Sequence, residues 1–233
     1  MKIVHAFLIN KKYQYHKINR EKLYFSKPLF IIIFTIIVLL SYNYNRNSHF
    51  EFFFCFCSMG RQENLYVREL ISYYMSLGVD KFVFADNNLP NTEKFSDILQ
   101  DYIKNGTVDI IEIFGDSYGQ NYYNTLYENY RTRCKWLSFF DFDEYLVMHF
   151  DESKNITVQE FLTNRLFKKC NAIEFNWLMH TDNNLSYYDN RTLIERFTEP
   201  NYENYANRFV KSVVRGNLGT PIFFKSIHQL IIL

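Results

Sequence analysis

From residue 50 to residue 142 the sequence alternates between short apolar runs and segments with helical spacing, and this alternation restricts the fold more than any other feature. Residues 50–58 are largely apolar and aromatic and read as a buried strand. Residues 63–77 place Leu65, Leu70, Tyr73, Tyr74 and Leu77 close to helical spacing, and Gly78 closes the segment. Residues 81–86 read as a second strand, residues 87–91 with Pro90 as a loop, and residues 93–104 as a helix ending at Asn105-Gly106. A third strand at 108–113, a third helix at 118–134 and a fourth strand at 136–142 complete the series. Strands separated by helices pair in parallel, because a parallel neighbour needs a crossover long enough to hold a helix. The expected fold class is therefore α/β, a doubly wound, mostly parallel sheet with helices on both faces. Ligands of such sheets bind at the carboxyl ends of the strands. Three of those ends carry polar groups: residues 58–63, Asp86 with Asn87, and Asp141 with Asp143. After residue 152 the pattern loosens, with a helix expected at 158–168 and strands at 172–177, 192–197 and 209–214.

The N-terminus has a different character. Lys2, Lys11, Lys12, Lys17, Arg20, Lys22 and Lys27 stand against Glu21 alone before Pro28, a net charge of +6 in a chain whose total is +1, so the remainder carries −5. A nucleic-acid binder would place its basic surplus on the folded domain; here the surplus sits on the tail, and no nucleic-acid partner is expected. From Leu29 to Leu40 only Thr35 is polar. Its apolar residues favour insertion into a bilayer by several kcal/mol at about −0.3 to −0.6 kcal/mol each, and Tyr42 and Tyr44 suit the interface. The expectation is a cytosolic basic tail at 1–27, one transmembrane signal anchor at 28–44, a short polar stem at 45–49 and a single domain at 50–233. The basic flank predicts a single-pass type II protein with its domain lumenal, in the Golgi or endoplasmic reticulum. A cleaved signal peptide fits less well, because the basic region is long and no small-x-small site follows Leu40. Sequons at Asn105, Asn155, Asn184 and Asn190 agree with a lumenal domain. The four cysteines lack metal-site spacing, and an oxidising lumen allows one or two disulfides whose pairing the sequence leaves open. With 24 Phe, 19 Tyr and only 7 Gly, the aromatic content reads first as coding bias and not as a stacking surface.

The chemistry concentrates in Asp141-Phe142-Asp143-Glu144. Two carboxylates one residue apart at a strand end can both reach a hard divalent cation, and Mg²⁺ or Mn²⁺ suits such oxygen ligands. A cation held there bridges the phosphates of a nucleotide and neutralises charge as a leaving group departs. A bare Asp-x-Asp is common as a solvated turn; here an apolar strand leads into it, and a Glu and an aromatic follow.

Residues 136–146, Trp-Leu-Ser-Phe-Phe-Asp-Phe-Asp-Glu-Tyr-Leu, resemble the W-(I/L)-x-F-F-D-x-D-E-(F/Y)-L signature of glycosyltransferases related to families 2 and 92. Other matches run in the same order. Residues 63–69 resemble the family's N-E-x-x-Y-(L/I)-x-E-W stretch, and residues 77–82 with Asp86-Asn87-Asn88 resemble L-G-V-D-x-(F/I) followed by D-N-N. Gln120, Tyr127 and Trp136, then Asn176-Trp177, Asp182-Asn183-Asn184, Glu195-Arg196-Phe197, Lys211-Ser212-Val213-Val214 and His228 resemble later motifs, so the likeness runs from about Cys55 to His228. There are departures. Arg61-Gln62-Glu63 stands where the family often has Lys-Asn-Glu, Tyr74 replaces a His and Leu70 a Trp. The chain also stops five residues after His228, where related domains continue, which reads as a C-terminally shortened domain.

The resemblance implies a GT-A fold and an inverting, metal-dependent transfer of a hexose, with galactose a candidate, from a nucleotide-sugar donor, most readily UDP-linked, to a glycan or glycoconjugate acceptor. Mn²⁺ or Mg²⁺ would be held by Asp141, Asp143 and His228. The donor would meet Arg61, Glu63, Asp86, Gln120 and Asp141. An inverting transfer needs a general base on the acceptor side; Asp182 is the first choice and Glu195 the second, the latter against a plain ion-pair role beside Arg196. Trp177, Tyr187, Tyr188, Tyr202 and Tyr205 are candidates for sugar stacking against the same compositional bias. The alternative reading is a catalytically inactive or truncated glycosyltransferase-like membrane protein that binds nucleotide or glycan.

Overall fold

The computed structural model describes residues 2–6, 34–36, 50–113, 119–148, 156–185, 187–218, 222–226 and 229–232. The chain divides into two compact units, one of residues 1–7 with 50–233 and one of residues 8–49. In the second unit residues 34–36 are helical, with Phe34 and Ile36 exposed. No helix among the described residues is long and apolar enough to cross a membrane. The rest of the expected anchor and the stem lie outside the described residues.

In the first unit, strands β1 (Lys2–Ala6), β2 (Phe52–Gly60), β3 (Lys81–Asp86), β4 (Val108–Glu112), β5 (Cys134–Phe139), β6 (Glu144–Met148), β7 (Ala172–Met179) and β8 (Val210–Arg215) form one sheet. Its order is β4-β3-β2-β5-β8-β7-β1-β6. A separate antiparallel pair joins β9 (Ile222–Ser226) and β10 (Gln229–Ile232). The β4-β3-β2-β5 half is parallel throughout, as the alternation predicts. The other half is mixed: β8 runs antiparallel to β5 and β7, and β1 lies antiparallel to β7 and parallel to β6. Because β1 pairs inside this sheet, residues 2–6 here belong with the domain. A cytosolic position for the same five residues would require them to leave it.

Helices α1 (Val67–Ser76), α2 (Phe95–Ile98), α3 (Gln100–Lys104), α4 (Gly119–Tyr130), α5 (Val158–Leu162) and α6 (Leu193–Arg196) complete the unit. Side chains along a strand point to opposite faces in turn, and β2 shows it. Phe54 and Phe56 enter one core with Val67, Leu70, Ile71 and Tyr74 of α1 and with Phe95 and Leu99. Cys55 and Cys57 enter the other core with Tyr123, Leu126, Tyr127 and Tyr130 of α4. Helices therefore cover both faces. The winding reverses between β2 and β5, which are sheet neighbours although β3 and β4 come between them in sequence. A crevice opens at such a switch point. Cys55 and Cys134 form a disulfide that ties β2 to β5, while Cys57 and Cys170 are free thiols.

Several boundaries differ from the sequence reading. The strand expected at 136–142 ends at Phe139, and an unanticipated strand, β6, begins at Glu144. The helix expected at 93–104 breaks at Leu99 into α2 and α3. The strand expected at 192–197 is instead α6. Thr192 caps it, accepting from the Glu195 N–H while the Glu195 carboxylate accepts in return from Thr192. Thr-x-x-Glu is a capping-box pattern, and its local hydrogen bonds outweigh the β-like composition of a short segment.

Tyr74 shows how β6 is secured. Its buried hydroxyl donates to the Glu144 carbonyl at 2.8 Å and accepts from the Leu146 N–H at 3.1 Å. The substitution Tyr74→Phe is expected to leave both backbone groups unpaired in the core and to cost about 1–3 kcal/mol. Urea denaturation of the full chain measures this, and an unchanged midpoint would contradict it.

Candidate functional site

A cleft of about 400 Å³ lies at the switch point, lined by Met59, Gly60, Arg61, Glu63, Asn87, Asp141, Phe142 and Asp143. Three loops build it, one after each of β2, β3 and β5.

The loop after β5 is a tight acidic turn. The Glu144 N–H donates to the Asp141 carbonyl at 3.2 Å, and the Asp141 N–H donates to Glu144 Oε2 at 2.9 Å. Between the two aspartates Phe142 is buried, its ring 4.9 Å from that of Phe84 and 5.1 Å from that of Phe95. That anchor turns Asp141 and Asp143 towards the cleft. Asp141 is held further: Tyr123 of α4 donates to its Oδ1 at 3.2 Å, and Lys211 of β8 donates to its Oδ2 at 2.8 Å. Lys211 also lies 3.4 Å from Glu144, and both Lys211 and Glu144 are fully buried. Burial, and then the charge of Asp141, push the Glu144 carboxyl up to about 8, against the pull of Lys211.

The loops after β2 and β3 are fastened to each other. The Asn87 N–H donates to the Gly60 carbonyl at 2.9 Å, and Arg61 Nε donates to the Asn87 carbonyl at 3.0 Å. Asn88 accepts from the Gln62 N–H through Oδ1 and donates to Asn64 Oδ1 at 2.8 Å. Gln62 adopts φ 64°, a left-handed conformation that Asn tolerates better than other non-glycine residues.

The expected site residues separate into groups. Arg61, Glu63, Asp141 and Asp143 come together on the cleft wall. Asp86 does not line it: the carboxylate is buried and accepts the backbone N–H groups of Asn88 at 2.8 Å and Phe95 at 2.7 Å. It shapes the loop that presents Asn87, which does line the cleft. Gln120 is the second residue of α4, and its side chain lies outside the described residues, as does His228. Asp182 is exposed and accepts from the Asn184 N–H within its own turn. Glu195 is committed to the α6 cap, and those hydrogen bonds from Thr192 hold its carboxyl below the usual range. Neither lines the cleft. Arg196 pairs elsewhere, donating to the Tyr187 carbonyl at 3.0 Å and to Tyr66 Oη at 3.4 Å. Trp177 is buried and packs edge-on to Phe209, while Tyr187, Tyr188, Tyr202 and Tyr205 are exposed.

Lys211 and Tyr123 were absent from the expected site. For Lys211 a signal existed: a lysine inside an apolar strand must find a carboxylate when buried. Tyr123 carried no comparable signal among 19 tyrosines.

The carboxylates fit a hard cation, since Asp141, Asp143 and Glu144 each bring one oxygen within 4.8 Å of the others. Oxygen-only donors at that spacing suit Mg²⁺ or Mn²⁺, with Asp143 and Asp141 on the cleft side and Glu144 behind them.

The family model for glycosyltransferase family 92 matches residues 50–229. No curated protein matches the chain, and no solved structure does.

A Cβ on Gly60 would fall 2.5 Å from Phe142 Cδ2 and 2.6 Å from Cε2. The Phe142 ring is wedged between two others and has little room to yield. Gly60→Ala is expected to cost about 1–3 kcal/mol by overpacking, with part of the loss recovered in Gly60→Ala/Phe142→Leu. Additive losses in thermal unfolding would show that the contact is not the cause.

Proposed function

With the chain a member of glycosyltransferase family 92, and so a glycosyltransferase, we propose that it transfers a hexose from a UDP-linked donor to a glycan acceptor with Mn²⁺ or Mg²⁺ and inversion at the anomeric carbon. The observation that carries this reading is the acidic turn facing the cleft beside Arg61 at the switch point. Asp143 and Asp141 would hold the cation, which when bound would neutralise charge building on the departing diphosphate. Arg61, held through Nε by the Asn87 carbonyl on the cleft wall, would turn its guanidinium charge towards phosphate oxygens. The fastened loops after β2 and β3 would give the nucleoside a preorganised wall, so little ordering would be needed on binding. Asp182 and Glu195 do not line this cleft, so either would act as base only from an acceptor side that the cleft wall does not include.

Purified full-length chain is expected to release UDP from a UDP-hexose in the presence of Mn²⁺. Asp143→Ala should reduce release by about a hundredfold or more, since several kcal/mol of charge stabilisation is removed. Equal release by the variant would show that the metal role is misassigned. That neither expected base lines the cleft favours a second reading, a nucleotide-binding protein without turnover. In that case UDP with Mn²⁺ raises the melting temperature while no donor is consumed.

We also propose membrane anchoring in the secretory pathway. The apolar run behind a basic flank supports it, and so does a disulfide suited to an oxidising lumen. In sealed microsomes residues 50–233 are expected to resist added protease. Loss of an N-terminal epitope in the same digestion goes with a cytosolic tail, and its protection goes with β1 remaining in the sheet.

A further inference from the structure

Lys211 lies behind the site, not in it. It is fully buried in β8 and absent from the cleft wall, yet its Nζ reaches Asp141 at 2.8 Å and Glu144 at 3.4 Å. Three carboxylates this close repel one another when ionised, and the repulsion can be relieved by protons, by a bound cation or by a cation of the protein itself. The protein supplies the third means before any ligand arrives, beside the upward push on the Glu144 carboxyl: Lys211 stands against Asp141 in the folded chain. Lys211 comes from the opposite half of the sheet, on the strand adjacent to β5, so the folded domain always supplies it. A divalent cation in the cleft would then face a fixed ammonium across the Asp141 carboxylate. On the wall itself Arg61 and Glu63 offset each other in charge.

We propose that Lys211 is the built-in counter-cation of the acidic turn, keeping it assembled without metal and lowering its affinity for free divalent cations. The cation is then retained only together with the donor's diphosphate. The diphosphate contributes the negative charge that Lys211 has already cancelled. The proposal rests on the metal-dependent reading given above. Lys211 is a positioning residue in this scheme, because it touches neither donor nor acceptor.

The test titrates full-length chain with Mn²⁺ alone, with UDP and with GDP, following the free Mn²⁺ signal by electron paramagnetic resonance. Melting temperature is measured for every variant. The wild type is expected to bind Mn²⁺ weakly alone and at least about tenfold more tightly with a nucleotide, and Lys211→Met to bind Mn²⁺ alone at least about tenfold more tightly than wild type. Lys211→Arg should resemble wild type. Should Lys211→Met not fold, the comparison moves to Glu144→Gln against Lys211→Met/Glu144→Gln, where fewer buried charges lose a partner. The same tightening is expected there. Unchanged or weaker binding in the folded Lys211→Met chains overturns the proposal, as does wild type binding Mn²⁺ equally with and without nucleotide. In both outcomes the metal reading survives. A wild-type chain that retains no Mn²⁺ with either nucleotide overturns both.

Discussion

The ammonium of Lys211 sits without solvent among the carboxylates of Asp141 and Glu144, and the architecture around the cleft depends on that contact. Burying charge is costly unless it is paired and hydrogen-bonded, and removing one partner of such a group typically costs about 3–5 kcal/mol. The contact therefore acts as a condition on folding as well as a feature of the site. It requires β8 to lie beside β5, which joins the parallel half of the sheet to the mixed half. It also requires the turn after β5 to fold back, so that Glu144 meets the same ammonium as Asp141. Tyr123 from one face and Phe142 on the other remove the remaining freedom. Asp143 is then carried to the cleft by a turn that has few alternatives.

The opposite wall relies on a different device. Asp86, Asn87 and Asn88 form a small hydrogen-bonded block whose carboxylate and amide groups are spent on backbone atoms. Spending them there fixes two loops relative to each other at the ends of adjacent strands. Residues that look like ligands in a linear motif thus divide into those that face the cleft and those that hold the first group still. Asn87 and Asp143 are of the first kind, Asp86 and Glu144 of the second. A catalytic surface needs both, because a side chain on a loop is only as well placed as the groups that immobilise it.

The same division explains what could be read in advance. The alternation through residue 139, the location of the acidic turn, and Arg61 and Glu63 at the first loop were legible because they follow from local pattern and from the rule that ligands gather at strand ends. Asp86 has a type and position that suit either task, and only the fold shows its carboxylate accepting two backbone N–H groups away from the cleft wall. Residues 192–197 form a helix and not the expected strand because a segment rich in β-formers resembles a strand until Thr192 and Glu195 are seen as a cap. β6 went unseen because Glu144 looked like the end of an acidic motif, whereas it is the first residue of a strand tied down by Tyr74.

By itself the sequence determined the parallel half of the sheet, the helices on its faces and the place of the acidic turn, since all of these are written in the spacing of apolar residues within about 15 positions of one another. It also determined the family, through motifs kept in order over residues 50–229. Only the tertiary structure decided which carboxylates face the cleft, which cation they meet, and that strands β1 and β6 complete the far side of the sheet. The reason is distance along the chain. Lys211 and Asp141 lie 70 residues apart, and no local period links them. Their pairing is imposed by the sheet order, and the low dielectric around them makes that pairing obligatory.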